Sequence, residues 1–376
     1  MIERTLQKAI VERIEPQKAL LLYGARRVGK TFLLKQIAKG FKGNVMELNG
    51  EDQDTLSLLA TVSISNYRHL FEGVGLLTID EVQHIPDIGA KLKLIVDEVP
   101  GICVIASGSS SFDLKNQAGE PLVGRSIQFM LTPFSQQELS QKESPIDTRR
   151  NLETRLIYGS YPEAVLIHSY ERKREYLQDL TDAYLLKDIL AVDGVKNSAK
   201  IHDLLRLIAY QVGGEVSYDE LSRSLSMSRN TVERYLDLLQ KVFIIHRLGG
   251  YSKNLRKEVS KTCKWYFYDN GIRNAIIRDF RPLSVRSDIE NGLLWENYII
   301  SERMKASLNE RKLTQFHFWR TYDNQEIDLI EVNNGAITAF EMKSGKKKPN
   351  APLAFRQAYP DAQYHVINRE NYFEYI

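Results

Sequence analysis

Cysteine is almost missing from this chain of 376 residues, which has only Cys103 and Cys263. Cys103 lies inside the apolar run ICVIA, where a buried thiol is expected. Cys263 stands in a lysine-rich stretch with no CxxC partner, so neither a disulfide framework nor a zinc site is indicated. Bilayer-length apolar runs are missing too, which argues against a membrane partner. The N-terminal stretch MIERTLQKAIVERIE lacks the apolar core of a signal peptide, and a reducing cytoplasm is the expected location. Nor is there an excess of one charge. With 51 basic and 48 acidic side chains the net charge is +3, too small to argue for nucleic acid without local patches. Internal repeats and low-complexity tracts do not occur.

The chain does have enough apolar and aromatic residues for globular cores, and enough length for two or three domains. An amphipathic helix to about Glu15 leads into a strand at Ala19–Tyr23, a glycine loop and a helix from Lys30 to about Ala38. Further short apolar strands near Val45–Leu48, Leu76–Ile79 and Ile102–Ala106 alternate with helices, one at Ala90–Val96. That alternation predicts an α/β fold with a parallel sheet covered on both faces. Polar composition around Gln141–Arg150 marks a boundary. A helical stretch follows, including Tyr170–Leu190, then three helices with a β-ribbon from Ile201 to about Tyr251, then mixed helix and strand from Trp265.

GARRVGKT, running from Gly24 through Ala25, Arg26, Arg27, Val28, Gly29 and Lys30 to Thr31, fits GxxxxGK[ST]. Glycine is needed where backbone N–H groups must turn inward around phosphates. Lys30 supplies charge to the outer phosphates, and the Thr31 hydroxyl completes a magnesium shell. A helix beginning here, with Phe32 in its first turn, aims its positive end at the anion. The apolar strand before the loop and the apolar helix after it are the context such a site requires. LLTIDE adds a strand ending in Asp80, expected to hold Mg2+ through water, and Glu81, expected to orient the attacking water. ATP and Mg2+ are therefore the expected ligands. Ser109, in SGSSS, is a candidate sensor of the γ-phosphate, although a strand-end serine is as often a turn residue. Arg125 is a candidate transition-state charge, with an ordinary ion-paired arginine as the alternative.

GARRVGKT, LLTIDE, SGSSS, VGRSIQFMLTPFSQQEL and YGSYPEA stand in this order along the chain. In this the sequence resembles a large group of prokaryotic AAA-superfamily ATPases whose C-terminal domain is of unknown function. The resemblance spans essentially the whole chain. It implies a P-loop NTPase core (1–142), a helical lid or linker (143–198), a winged helix-turn-helix (199–252) and a nuclease-like C-terminal α/β domain (253–376). It implies no particular substrate.

In the third of these segments, SYDELSRSLSMSRNTVERYLDLLQKVFIIHRL, Ser228 is a candidate N-cap that leaves Arg229, Asn230 and Arg234 facing outward. A recognition helix presents such groups to DNA, and so does any solvated helix face. Further on, Asn334-Gly335 predicts a two-residue hairpin turn in EIDLIEVNNGAITAFEMKSG. Counting back from it places Asp328 opposite Glu341 and Glu326 opposite Lys343. Opposed carboxylates need compensation, from a divalent cation or from the lysine. Ile289, Leu293 and Ile300 suggest an apolar helix stripe that includes Glu296. Glu296, Asp328, Glu341 and Lys343 follow the order of the PD-(D/E)xK nuclease signature, with Ile327 where that pattern has proline. They are a candidate second metal site. The basic tract KSGKKKP lies beside it.

Three functions fit these expectations. One is an ATPase coupling nucleotide state to its later domains, another an ATP-gated nuclease acting on DNA or RNA. The third is a slow switch controlling a protein partner or a DNA contact. Oligomeric state stays open, as does whether Arg125 acts across a subunit boundary.

Overall fold

A computed structural model of the chain describes residues 2–109, 122–185, 198–252, 263–345 and 348–376. These form two compact units. One runs to Thr132 and takes in Lys241–Phe243, and the other holds the remainder.

The first unit is an α/β sheet of five strands: β1 (Ala19–Tyr23), β2 (Val45–Asn49), β3 (Leu76–Asp80), β4 (Cys103–Gly108) and β5 (Ser126–Met130). They lie in the order β2-β3-β4-β1-β5, and every neighbouring pair is parallel. Each residue of β1, β3 and β4 is buried, as continuous apolar strands covered on two faces require. The edge strand β2 is half-buried. The helices are α1 (Thr5–Val11), α2 (Lys30–Gly40), α3 (Gln53–Leu58), α4 (Ile64–Leu70) and α5 (Ile88–Glu98). Leu21, Tyr67, Phe71, Leu77, Ile88 and Leu92 belong to one buried apolar cluster. Parallel pairing brings the carboxyl ends of β1, β3 and β4 to one edge of the sheet, where open α/β sheets bind ligands.

The second unit begins with short helices: α6 (Gln136–Leu139), α7 (Pro145–Tyr158), α8 (Pro162–Leu166) and α9 (Tyr170–Asp179). The helix expected over Tyr170–Leu190 gives way at Leu180 to a π-type turn ending at Leu185, and 186–190 lie outside the described residues. Next come α10 (Ser198–Tyr210), β6 (Glu215–Val216), α11 (Tyr218–Ser224), α12 (Arg229–Lys241), β7 (Ile245–Gly250) and β8 (Cys263–Phe267). The rest comprises α13 (Asn270–Ile276), α14 (Asp288–Asn309), β9 (Gln315–Arg320), β10 (Glu326–Asn333), β11 (Ala336–Met342), α15 (Leu353–Ala358) and β12 (Gln363–Ile367).

Three helices do follow Ser198, but the ribbon expected before about Tyr251 is not closed there, since β7 and β6 both pair with β8, further on. These strands belong to one seven-stranded sheet, β12-β11-β10-β9-β7-β8-β6, in which β7 runs parallel to β9. A boundary at 252/253 would cut through that sheet. Residues from Pro133, shortly before the boundary expected near Gln141–Arg150, already pack with the second unit. A buried ion pair holds them there. Glu302 of α14 accepts from the Gln136 backbone at 2.6 Å and from Lys305 at 2.8 Å, and Lys305 also donates to the Phe134 carbonyl at 3.2 Å. TPFSQQEL is thereby tied to a helix far along the chain.

The apolar stripe of α14 also differs from expectation. Ile300 is buried as expected, but Leu293 is half-buried and Ile289, next to the Ser287–Glu290 capping box, is 77% exposed, while Leu294, Trp295, Tyr298 and Ile299 are buried. Asn334 and Gly335 do form the hairpin turn, with φ of 49° and 84°.

Candidate functional site

The glycine loop closes against its own unit. A Cβ on Gly24 would overlap the Leu131 carbonyl oxygen, so only glycine fits there. Gly29, at φ 97°, is the N-cap of α2, and Arg27 is left-handed at φ 64°. Val28 is fully buried and anchors the loop, Ala25 is buried, Arg26 half-buried, and Thr31 and Phe32 are exposed at the start of α2. Lys30 is 4% exposed and donates to the Gly24 and Ala25 carbonyls at 3.0 and 3.2 Å. Its ammonium thus lies inside the loop's curve, where outer phosphates fit.

Across the edge of the sheet, the Thr31 hydroxyl donates to Asp80 Oδ2 at 2.5 Å. The other Asp80 oxygen accepts from the Ser107 hydroxyl and, at 3.1 Å, from the Glu81 backbone. A hydroxyl and a buried carboxylate side by side are oxygen donors suited to magnesium. Glu81 has left-handed backbone at φ 50°, and Gln83 donates to its carboxylate at 2.5 Å. A cavity of about 410 Å³ opens beside this pair, lined by Thr31, Lys35, Asn49, Asp52, Asp54 and Asp80.

Ser107 of β4, which the sequence did not single out, is the serine bonded to Asp80, and Ser109, the candidate sensor, is buried just past β4. Arg125 precedes β5 at the opposite end of the sheet. Its carbonyl accepts from Ala19, the first residue of β1, and its guanidinium holds Asp97 at 2.6 and 2.9 Å. The length of β1, roughly 13 Å, separates it from the loop. It is an ion-paired arginine that cannot serve the phosphates of its own chain.

Sequence reading missed Arg4. This buried arginine donates to the Val28 carbonyl at 3.0 Å and to the Thr132 carbonyl at 2.6 Å, bracing the loop from before α1. Nothing in a charged helical pattern distinguishes it.

In the second unit the four PD-(D/E)xK-like residues do converge. The β10–β11 ladder ends at Leu329–Phe340, which leaves Asp328 and Glu341 facing each other. Asp328 lies where β10 bulges against β9, and its carboxylate accepts from the Met342 backbone at 2.6 Å. Burial pushes Glu296 up to about 8 and Glu341 up to about 7, in each case with Asp328's charge adding to the shift. Burial raises Asp328 as well.

Compensation, however, comes from cations already in the chain. Lys264 of β8 pairs with Glu326 and lies 3.9 Å from Glu296, which also accepts from the Tyr266 hydroxyl at 2.6 Å. Lys343 pairs with Glu341 at 2.5 Å. Among the described residues, no group of three or more His, Cys, Asp or Glu is placed to hold a metal ion. The arrangement does not fit the second metal site expected at Glu296, Asp328 and Glu341. Lys264 and Tyr266 escaped the sequence reading because only the joined sheet puts their side chains within reach of Glu326 and Glu296. Part of the basic tract, residues 346–347, lies outside the described residues.

On the outward face of α12, Arg229 is already engaged by Asp219 at 3.1 Å and Glu233 at 3.0 Å. No helix among the described residues is long and apolar enough to cross a membrane.

Residues 16–140 match a family described as an AAA domain. Residues 149–283 and 291–375 match two domains of unknown function, DUF8612 and DUF4143. An uncharacterized protein of Mycobacterium tuberculosis is 26% identical over 369 residues, covering 96% of this chain and 78% of that protein. The uncharacterized protein MJ1544 of Methanocaldococcus jannaschii is 24% identical over 394 residues, with coverage of 97% and 84%. Among solved structures, the Walker-type ATPase paby2304 of Pyrococcus abyssi aligns with a TM-score of 0.50 and 16% identity over 74% of this chain and 96% of that one. The likeness is one of fold. The first unit has a parallel-sheet core like that of the P-loop ATPase fold, over the residues that match the AAA domain.

Proposed function

We propose that the first unit binds ATP with a divalent cation and hydrolyses it, and that nucleotide state governs the second unit. One observation carries this reading: Thr31 meets Asp80 at 2.5 Å beside a loop whose curve already holds the Lys30 ammonium. Lys30 exchanges its carbonyl contacts for phosphate oxygens, which bind an ammonium more strongly. The loop amides and the start of α2 complete the anion cradle. Thr31 and Asp80 hold the cation, which neutralises charge on the phosphate oxygens. Glu81 orients and deprotonates the attacking water. Phosphate release measured with magnesium tests the proposal. Lys30→Ala is expected to abolish release, and Glu81→Gln to abolish turnover while leaving nucleotide bound. Wild-type protein with no nucleotide affinity in magnesium overturns it.

A slow-turnover switch is the second reading, supported by the grip of Gln83 on Glu81. A carboxylate held by an amide is less available to water, so Gln83→Ala is expected to raise the basal rate several-fold. An unchanged rate removes this reading. DNA, RNA or a protein as the partner of that switch is distinguished by adding each to the same assay.

A further inference from the structure

A second cleft, of about 650 Å³, opens in the other unit, lined by aromatic and arginine side chains from α7, α9 and the turn after α13. Three of its rings form a continuous stack. Tyr158 lies between Tyr170, at 5.3 Å and 16° between planes, and Phe280, at 5.5 Å and 12°. Such spacings describe offset stacking. Both faces of Tyr158 are therefore covered, while Tyr170, at the outer end, is 60% exposed.

The stack is held rigidly. Tyr158 precedes Gly159, whose φ of 68° and contact with the Asp269 carboxylate leave no room for a Cβ. Asp269 accepts from the Ser160 backbone at 2.6 Å, and Asn274 donates to the Ile157 carbonyl at 2.8 Å. The motif YGSYPEA thus has a physical role, since it fixes the central ring of the stack. Phe280 is fixed from the other side by its neighbour Asp279, which is gripped by Arg281 and Arg286.

Charge around the rings favours an anion. Arg174 is exposed and makes no ion pair among the described residues. Arg278, left-handed at φ 54°, has only an exposed contact at 3.4 Å to Asp182, the kind of pair that contributes little. Of the two carboxylates lining the cleft, Asp279 is neutralised by its arginines and Glu171 is exposed. A preformed ring stack open at one end, with guanidinium groups beside it, suits a ligand that alternates flat rings with phosphates.

We propose that this cleft binds single-stranded nucleic acid, with a base continuing the stack on Tyr170 and the adjoining phosphates held by Arg174 and Arg278. Any base can stack, so the site tolerates sequence.

Fluorescence anisotropy of a short labelled single-stranded oligonucleotide, added to the full chain at low salt without nucleotide, tests the assignment. Wild-type protein is expected to bind with a Kd that weakens steeply as salt rises. Tyr170→Ala and Arg174→Ala are each expected to raise Kd about tenfold. Tyr170→Phe keeps the ring and is expected to bind as wild type, whereas Arg229→Ala, on α12, is expected to change nothing. Tyr170 is exposed, so its variants keep the fold, and unchanged tryptophan fluorescence checks this. The proposal fails if wild type does not bind the single strand, or if the two alanine variants bind it unchanged. It fails equally if polyglutamate or duplex DNA displaces the strand at matched charge.

Discussion

The two units bury their chain in different ways. In the first, β1, β3 and β4 are buried throughout and the core is an apolar cluster under a parallel sheet. In the second, polar side chains are threaded through the interior. Asn297 bonds both the N–H and the C=O of Phe267 and also Asn270. Asn270 and Asn274 bond carbonyls of α7. Glu302 and Lys305 pair at 3% exposure or less. An apolar core tolerates loss of volume by degrees, whereas a buried polar network fails once one partner is removed. The second unit is therefore the one a single conservative change can break.

All three tryptophans, Trp265, Trp295 and Trp319, are buried in the second unit, so their fluorescence reports its unfolding and not that of the first. The largest effect is expected for Glu302→Ala, which strands the Lys305 charge and should cost about 3–5 kcal/mol in tryptophan-monitored denaturant melts. Gly159→Ala should come next, at about 3 kcal/mol, because the new methyl meets Asp269 on a left-handed backbone. Asp80→Asn should act in the opposite sense, lowering phosphate release by about 100-fold or more while leaving the tryptophan melt unmoved. A common effect on both readouts would erase the contrast between the units.

Smaller is the pH effect. Burial pushes Asp269 up to about 6, above its unfolded value. The stability linked to this group is fully present below the unfolded pKa and is lost as pH rises through about 6. The second unit should melt more easily at pH 7.5 than at pH 4.5, and Asp269→Asn should reduce that slope without removing it, because Glu296 and Glu341 are raised in the same sense. Smallest is Ile289→Ser, expected to change stability by no more than about 0.5 kcal/mol because the side chain is already in water.

The first unit was largely legible in the sequence because its signals are local. A strand, a glycine loop and a helix are adjacent in GARRVGKT and its flanks, and Asp80 ends an apolar strand. Arg4 was not, because its partners are backbone carbonyls that only folding brings near it. Arg125 stayed undecided between its two readings because position along a strand, which decides the end of the sheet it occupies, cannot be weighed without the register. In the second unit the Asn334-Gly335 turn was legible, and with it the opposition of Asp328 and Glu341. Lys264 was not, although it decides what those carboxylates need.

By itself the amino-acid sequence determined the parallel sheet, the phosphate loop, the acidic strand end and the hairpin. Each follows from backbone preference or side-chain periodicity over a few residues, where neighbours along the chain are also neighbours in space. Only the tertiary structure decided that the ribbon and the C-terminal strands share one sheet, that lysines neutralise the carboxylate cluster, and that Tyr158, Tyr170 and Phe280 stack. Those outcomes depend on contacts between distant segments, whose close approach is set by packing and buried hydrogen bonds and leaves no periodic trace in the chain.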